Sequence, residues 1–148
     1  MTTTEERVYT IVVGIDGSPA SKEALRWALW HAGLTRGSVT ALMAWDTPLI
    51  YNWEVPGLED FAATTARYLD EVINKVGGQT SVSVSKEVAQ AHPARALLDA
   101  ARDKGADLLV VGNRGRGGLT EAELLRGSVA SGVLHHARCP VAVVREAR

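Results

Sequence analysis

A chain of 148 residues, 46% apolar and 22% charged, has the length and composition of one globular domain with a sizeable core over 1–148, not of a disordered or fibrous protein. A formal net charge of −1 speaks against nucleic acid as a partner, since binders of nucleic acid carry a basic surface. No apolar run reaches the length of a membrane span, and the polar start MTTTEERVYT lacks secretory character, so the expected place is the cytoplasm, with residues 1–7 as a flexible lead-in.

Residues 8–15, VYTIVVGI, form an apolar β-rich run that Asp16-Gly17-Ser18-Pro19 stops. Ser18 has the character of a helix N-cap, with Pro19 at the first helical position. From Ala20 to about Leu34, Ala24, Ala28 and Ala32 recur four apart with Leu25 and Leu29 beside them, which predicts a helix with one apolar face. Gly37 ends the connection, and Val39–Trp45 reads as a second strand. Residues 46–58, DTPLIYNWEVPGL, hold two prolines and no period. They read as a loop whose Leu49, Ile50, Tyr51 and Trp53 either cover a pocket or fold over the domain edge. Glu59–Val76 is a second helix with Phe61, Leu69, Val72, Ile73 and Val76 inward, closed by Gly77-Gly78.

Ser81–Val88, SVSVSKEV, alternates apolar and polar residues as an edge strand does, and Lys86 and Glu87 discourage further pairing there. His92-Pro93 leads into a third helix, Ala94–Lys104, which Gly105 ends. Leu108–Val111 is a fourth strand, Ser128 to about Ala137 the last helix, and Val141–Val144 a short fifth strand. Strands alternating with helices imply an open parallel α/β sheet with helices on both faces. Ligands of such sheets bind at the carboxyl ends of the strands, where the strand order reverses. The Asp16 turn and the Gly112 loop both lie at such ends, and they face each other if the first and fourth strands are neighbours. The last strand, VAVV, is apolar on both faces. As an unprotected edge it predicts a homodimer through residues 141–144, the alternative being a cover of loops within one monomer.

The stretch with most chemical character is Leu108–Val129, LLVVGNRGRGGLTEAELLRGSV. Its loop carries Gly112, Gly115, Gly117 and Gly118, with Arg114 and Arg116 among them, and Gly127-Ser128-Val129 opens the last helix. Glycines bring backbone N–H groups close to an anion, and a helix N-terminus adds free N–H groups and partial positive charge. An ordinary strand-to-helix connection has the same spacing, so both readings stand open. Arg114 and Arg116 either neutralise phosphate charge or are solvated. Ser128 either donates to a phosphate or caps the helix, and Asp16 either accepts from ribose hydroxyls or holds a turn. Neither G-x-x-x-x-G-K-[ST] nor a G-x-G-x-x-G after the first strand is present. His135 and His136 point about 100° apart on a helix, and His136 with Cys139 gives only two ligands, so no metal site is expected. The single cysteine reads as a small buried residue, and His31 and His92 as surface or packing residues. No spacing singles out a triad or a general base, so catalytic residues are not assigned.

Taken in this order, VVGIDGS (12–18), HPARALLDAA (92–101), ADLLVVGNRGRGG (106–118) and GSV…HHARCPVAVV (127–144) resemble the universal stress protein family over Val8–Arg145. The resemblance implies a Rossmann-like, adenine nucleotide alpha hydrolase-like sheet of five parallel strands in the order 3-2-1-4-5, and a dimer through the last strand. Many members bind ATP through G-x2-G-x9-G-[ST] with an acidic residue after the first strand. On that likeness Gly112, Gly115, Gly127 and Ser128 match the motif, and Asp16 the acidic residue on ribose. Ala44 matches a backbone contact to adenine, Gly14 and Ile15 wall the base, and Arg114, Arg116 and Val129 complete the nucleotide-binding set. Residues 116–126 number eleven where the motif has nine, which implies an ATP-binding-type member with a two-residue-longer loop. Glu121 and Glu123 there oppose a triphosphate, and Arg114, Arg116 and Arg126 offset them. AMP is the alternative ligand to ATP, with Mg2+ the companion of ATP. The implied role is a stress-response or signalling dimer that binds an adenine nucleotide, has at most slow ATP hydrolysis, and acts on a protein partner the residues do not name. A nucleotide-free dimeric interaction module of the same fold is the second reading. An ATP-using, substrate-activating enzyme is a third, for which the loop shows no lysine–serine set.

Overall fold

The computed structural model describes residues 7–45, 58–78, 80–113 and 129–146, the side chains of 58–61 excepted. Among the described residues five strands and four helices alternate: β1 (Thr10–Gly14), α1 (Pro19–Thr35), β2 (Ser38–Trp45), α2 (Leu58–Gly77), β3 (Ser83–Gln90), α3 (Pro93–Lys104), β4 (Leu108–Gly112), α4 (Val129–His136) and β5 (Val141–Val144). The strands form one parallel sheet in the order β3-β2-β1-β4-β5. Alternation along each strand sorts the core onto two faces. Ile11, Val13, Val39 and Val110 meet Leu25, Leu29 and Leu69 of α1 and α2, and Val12, Leu42, Leu109 and Val111 meet Leu97 and Val133 of α3 and α4. Both clusters are built from Val, Leu, Ile and Ala, as the low aromatic content requires.

Local signals set the helix ends. Ser18 is the N-cap of α1: its Oγ accepts from Ser21 N–H at 3.1 Å, and Pro19 follows at the first helical position. At the other end Arg36 takes the left-handed conformation, φ 56°, which more often falls to glycine. His92 caps α3, its Nδ1 accepting from Ala94 N–H at 3.2 Å, and Gly105 closes that helix in the left-handed region. β3 begins and ends two residues later than its own alternation predicts. Its ladder is dictated by β2, which pairs with it from Ser38–Ser83 through to Trp45–Gln90.

At the amino ends of the strands, Asp107 ties β4 to β1. Its N–H donates to Thr10 O at 2.8 Å and its Oδ2 accepts from Thr10 N–H at 2.9 Å, while its carboxylate pairs with Arg7. Burial raises the Asp107 carboxyl pKa. The Thr10 amide and the Arg7 guanidinium outweigh burial and hold it below the ordinary carboxylate value. Above Asp107, Tyr9 Oη lies 3.3 Å from His31 Nε2, and the His31 ring stacks on Trp27 with centroids 4.9 Å apart. His31 is thus a packing residue. No described helix is long and apolar enough to cross a membrane.

Candidate functional site

The strand order reverses between β1 and β4, the neighbours from which the chain proceeds to opposite sides. Register fixes which residues meet at their carboxyl ends. Val13 pairs with Val110, so Gly112 is level with Ile15. Gly14 pairs with Leu42, so Ala44 is level with Asp16. The turn after β1, the end of β2 and the end of β4 therefore converge at one height. Val129 opens α4, half-buried against the core cluster of that face.

The Asp16 turn is a closed circuit of short-range bonds. Ser18 N–H donates to Asp16 Oδ1 at 2.9 Å, Asp16 N–H donates to Ser21 Oγ at 3.2 Å, and the Ser21 hydroxyl donates to Ser18 O at 3.0 Å. Asp16 thus does hold a turn. A carboxylate has about four lone-pair sites, so a turn bond and a ligand bond are compatible on it. Ile15 is buried in the α1-face core and its N–H donates to Leu42 O at 2.8 Å, so it borders the crevice with its backbone.

Close approach explains the glycines. A Cβ at Gly112 would stand 2.8 Å from the carbonyl carbon of Ala20, so β4 ends directly against the first turn of α1. One at Gly14 would meet Leu97 Cδ1 at 2.9 Å. At Gly17, φ +86°, it would meet the Tyr68 hydroxyl at 2.7 Å. Tyr68 reaches this turn from α2, a placement that no local signal in the sequence foretells. Asn113 was also passed over. Its N–H donates to Val144 O at 2.9 Å, and its Oδ1 is buried with no partner among the described residues. An orphaned acceptor at the carboxyl end of β4 is the kind of group that a ligand or a further stretch of chain satisfies.

Of the eleven expected binding residues, Gly14, Ile15, Asp16, Ala44, Gly112 and Val129 fall at this end of the sheet. Arg114, Gly115, Arg116, Gly127 and Ser128 lie outside the described residues, as do the Glu121 and Glu123 charges and the apolar loop side chains from Leu49 to Trp53. Elsewhere, Cys139 is half-buried. Burial pushes its thiol pKa up and the Asp107 charge adds to that, beyond what a backbone hydrogen bond of its own lowers, so it is not a thiolate near neutral pH. Among the described residues no three His, Cys, Asp or Glu side chains cluster as metal ligands. A groove of about 480 Å³ lies at the other end of the sheet, lined by Arg36, Ser38, Ser81 and Ser83 among others, away from the crevice.

The sequence profile of the Universal stress protein family matches residues 8–145. A universal stress protein of Mycobacterium tuberculosis is 39% identical over 140 residues, taking in 92% of this chain and 45% of that relative. The chain therefore spans about half the length of the curated mycobacterial relatives it matches. A universal stress protein of Methanocaldococcus jannaschii is 30% identical over 148 residues, covering 95% of this chain and 85% of its own. Among solved structures, a universal stress protein in complex with cAMP has a TM-score of 0.74 at 28% identity, over 95% of this chain and 98% of that one.

Proposed function

The chain belongs to the universal stress protein family, and we propose that it is an adenine-nucleotide-binding member that works as a dimer in stress response or signalling. The observation that carries this is the convergence of Asp16, Ala44 and Gly112 at one height beside the strand-order reversal. The cAMP complex of a relative with the same fold supports it. In this reading the Asp16 carboxylate accepts from the ribose hydroxyls, the backbone of residues 14–15 and 44 borders the base, and the β4 end with the start of α4 receives phosphate. Asn113 Oδ1, buried and unpaired among the described residues, is an acceptor suited to a hydroxyl or amino hydrogen of the nucleoside, not to a phosphate oxygen. A single phosphate, as in AMP or cAMP, asks least of the site. Binding of ATP with Mg2+ rests on residues 114–128, whose eleven-residue spacing departs from the family motif. The dimer is proposed through β5, and the protein partner is left open.

Mass spectrometry of small molecules released from undialysed protein, followed by calorimetric titration with AMP, cAMP and ATP, tests the reading. The expected result is an adenine nucleotide bound at micromolar affinity and lost by at least tenfold in Asp16→Ala. Equal affinity in the variant would remove this site assignment. The longer loop favours one rival, a nucleotide-free interaction module. Unchanged melting temperature across millimolar nucleotides would select it.

A further inference from the structure

Two positions close together at the end of α1 carry a conformational cost that no neighbour explains. The first is Gly33, in the last turn of the helix, where glycine is less stable than alanine because it has more freedom to lose. Each of the other described glycines has a neighbour within 4 Å of the Cβ it lacks, or a positive φ, or both. Gly33 has neither, and the place its Cβ would take is open space. The second is Arg36, which closes α1 in the left-handed conformation at φ 56°. The left-handed residues after α2 and α3 are Gly78 and Gly105, which escape the strain that a Cβ brings there. The Arg36 side chain is exposed and has no hydrogen-bond or ion-pair partner among the described residues. Contacts within the described fold therefore do not offset its strain. Local costs gathered at one place mark a surface shaped for something other than stability.

That place is the groove of about 480 Å³ at the amino end of the sheet, which Gly33 and Arg36 both line. Arg36 is the charged residue of its lining. Ser38, Ser81 and Ser83 add three hydroxyls, none with a partner among the described residues. Val8 and Val82 add apolar surface, Val8 being 52% exposed. The groove thus offers one cation, several hydrogen-bond donors and an apolar wall.

We propose that this groove is a ligand site separate from the nucleotide crevice, and that it takes a small aliphatic monocarboxylic acid in its ionised form. The planar fork of a guanidinium matches a carboxylate, and serine hydroxyls donate to the lone pairs that the fork leaves over. The aliphatic body lies against Val8 and Val82, in the space that the missing Cβ of Gly33 keeps open. Charge limits the ligand to one negative group. The carbonyls that end α1 carry partial negative charge, and Arg36 is the single formal charge set against them and the ligand. A phosphate dianion finds no second cation in the lining. The site does not depend on the nucleotide reading, since the two lie at opposite ends of the strands.

Amide NMR spectra of the full chain, titrated with sodium hexanoate, test this. The Gly33, Gly37, Ser38 and Val82 amides are expected to move on one saturating curve with a Kd of about 1 mM, while those of Gly14 and Asp16 stay in place. 1-Hexanol, of the same length without the charge, is expected to bind about tenfold more weakly, and inorganic phosphate not to displace hexanoate. Arg36→Gln keeps the left-handed cost and removes the charge. It is expected to weaken hexanoate about tenfold and to leave hexanol unchanged. Gly33→Ala is expected to raise the melting temperature of the unliganded chain by roughly 2 °C while weakening hexanoate several-fold. Groove amides that stay still at tens of millimolar hexanoate overturn the site. Equal binding of hexanol and hexanoate, or an Arg36→Gln variant that binds hexanoate as the parent does, overturns the carboxylate assignment. Displacement by phosphate overturns the limit to one charge. A lower melting temperature in Gly33→Ala overturns the argument from the open glycine, because it shows that the fold itself needs glycine there.

Discussion

The two ends of one sheet are held in different proportions by two means, filled space and close backbone approach. At the amino end, large or charged groups fill space: Asp107 bridges Thr10 and Arg7, and His31 lies between Tyr9 and Trp27. At the carboxyl end, space is closed by the lack of side chains, a Cβ added at Gly14, Gly17 or Gly112 coming within 3 Å of a neighbouring atom. The amino end uses that device at Gly37, whose Cβ would stand 2.5 Å from Tyr9 O. On the proposed function the difference separates stability from binding: deleting the Asp107 carboxylate costs folding energy, adding a Cβ at Gly112 costs folding energy, and deleting the Asp16 carboxylate costs nucleotide affinity.

The sharpest challenge to this contrast is Gly112→Ala. Its new methyl meets backbone, which cannot rotate away, and we expect a loss of about 2–3 kcal/mol by urea denaturation. A neutral result would mean that α1 gives way freely at Ala20. Next comes Asp107→Asn, expected to cost about 1–2 kcal/mol at pH 7. Because the folded carboxyl pKa is lowered, its stabilisation is present above the unfolded value of about 4 and fades as pH falls through the folded value. The gap between parent and Asp107→Asn in a pH series of melts should therefore narrow below about pH 4. A constant gap would assign the effect to packing. Asp16→Ala tests the other half of the contrast: at least tenfold weaker nucleotide binding, about 1.4 kcal/mol, with no more than about 1 kcal/mol of stability lost with the Ser18 turn bond. The smallest effect is expected from Arg36→Gly. Relief of a left-handed arginine offsets the extra freedom of glycine in the unfolded chain, for a gain of a few tenths of a kcal/mol, roughly 1 °C in melting temperature. A clear loss would show that the Arg36 side chain contributes at the amino end.

Much of this was legible in the residues because it is local or periodic. Ser18-Pro19 announced the start of α1, VAVV the last strand, and the alternation of strands with helices the parallel sheet. The strand order 3-2-1-4-5 came from family resemblance. What stayed hidden is what distant segments impose on one another. The ladder with β2, not the SVSVSKEV pattern, sets where β3 starts. Gly112 reads as an anion-cradle glycine in sequence, yet contact with Ala20 alone is reason for it. His92 gave no cap signal, since histidine is not among the usual capping residues. Tyr68 and Asn113 gain interest only from their positions beside Gly17 and Val144.

The Asp107–Thr10 tie also bears on the order in which the chain is made. Its partners are 97 residues apart, so the central strand has one flank that no residue before β4 can cover. As the chain leaves the ribosome, β1, β2 and β3 can pair in turn, each with a neighbour already synthesised. β1 meanwhile waits with the backbone N–H and C=O groups of its other edge unpaired until Leu108–Val110 emerges. Synthesis halted before that point yields a half-sheet whose open side is the middle of the finished protein, a surface for chaperones to hold and for other half-made chains to find.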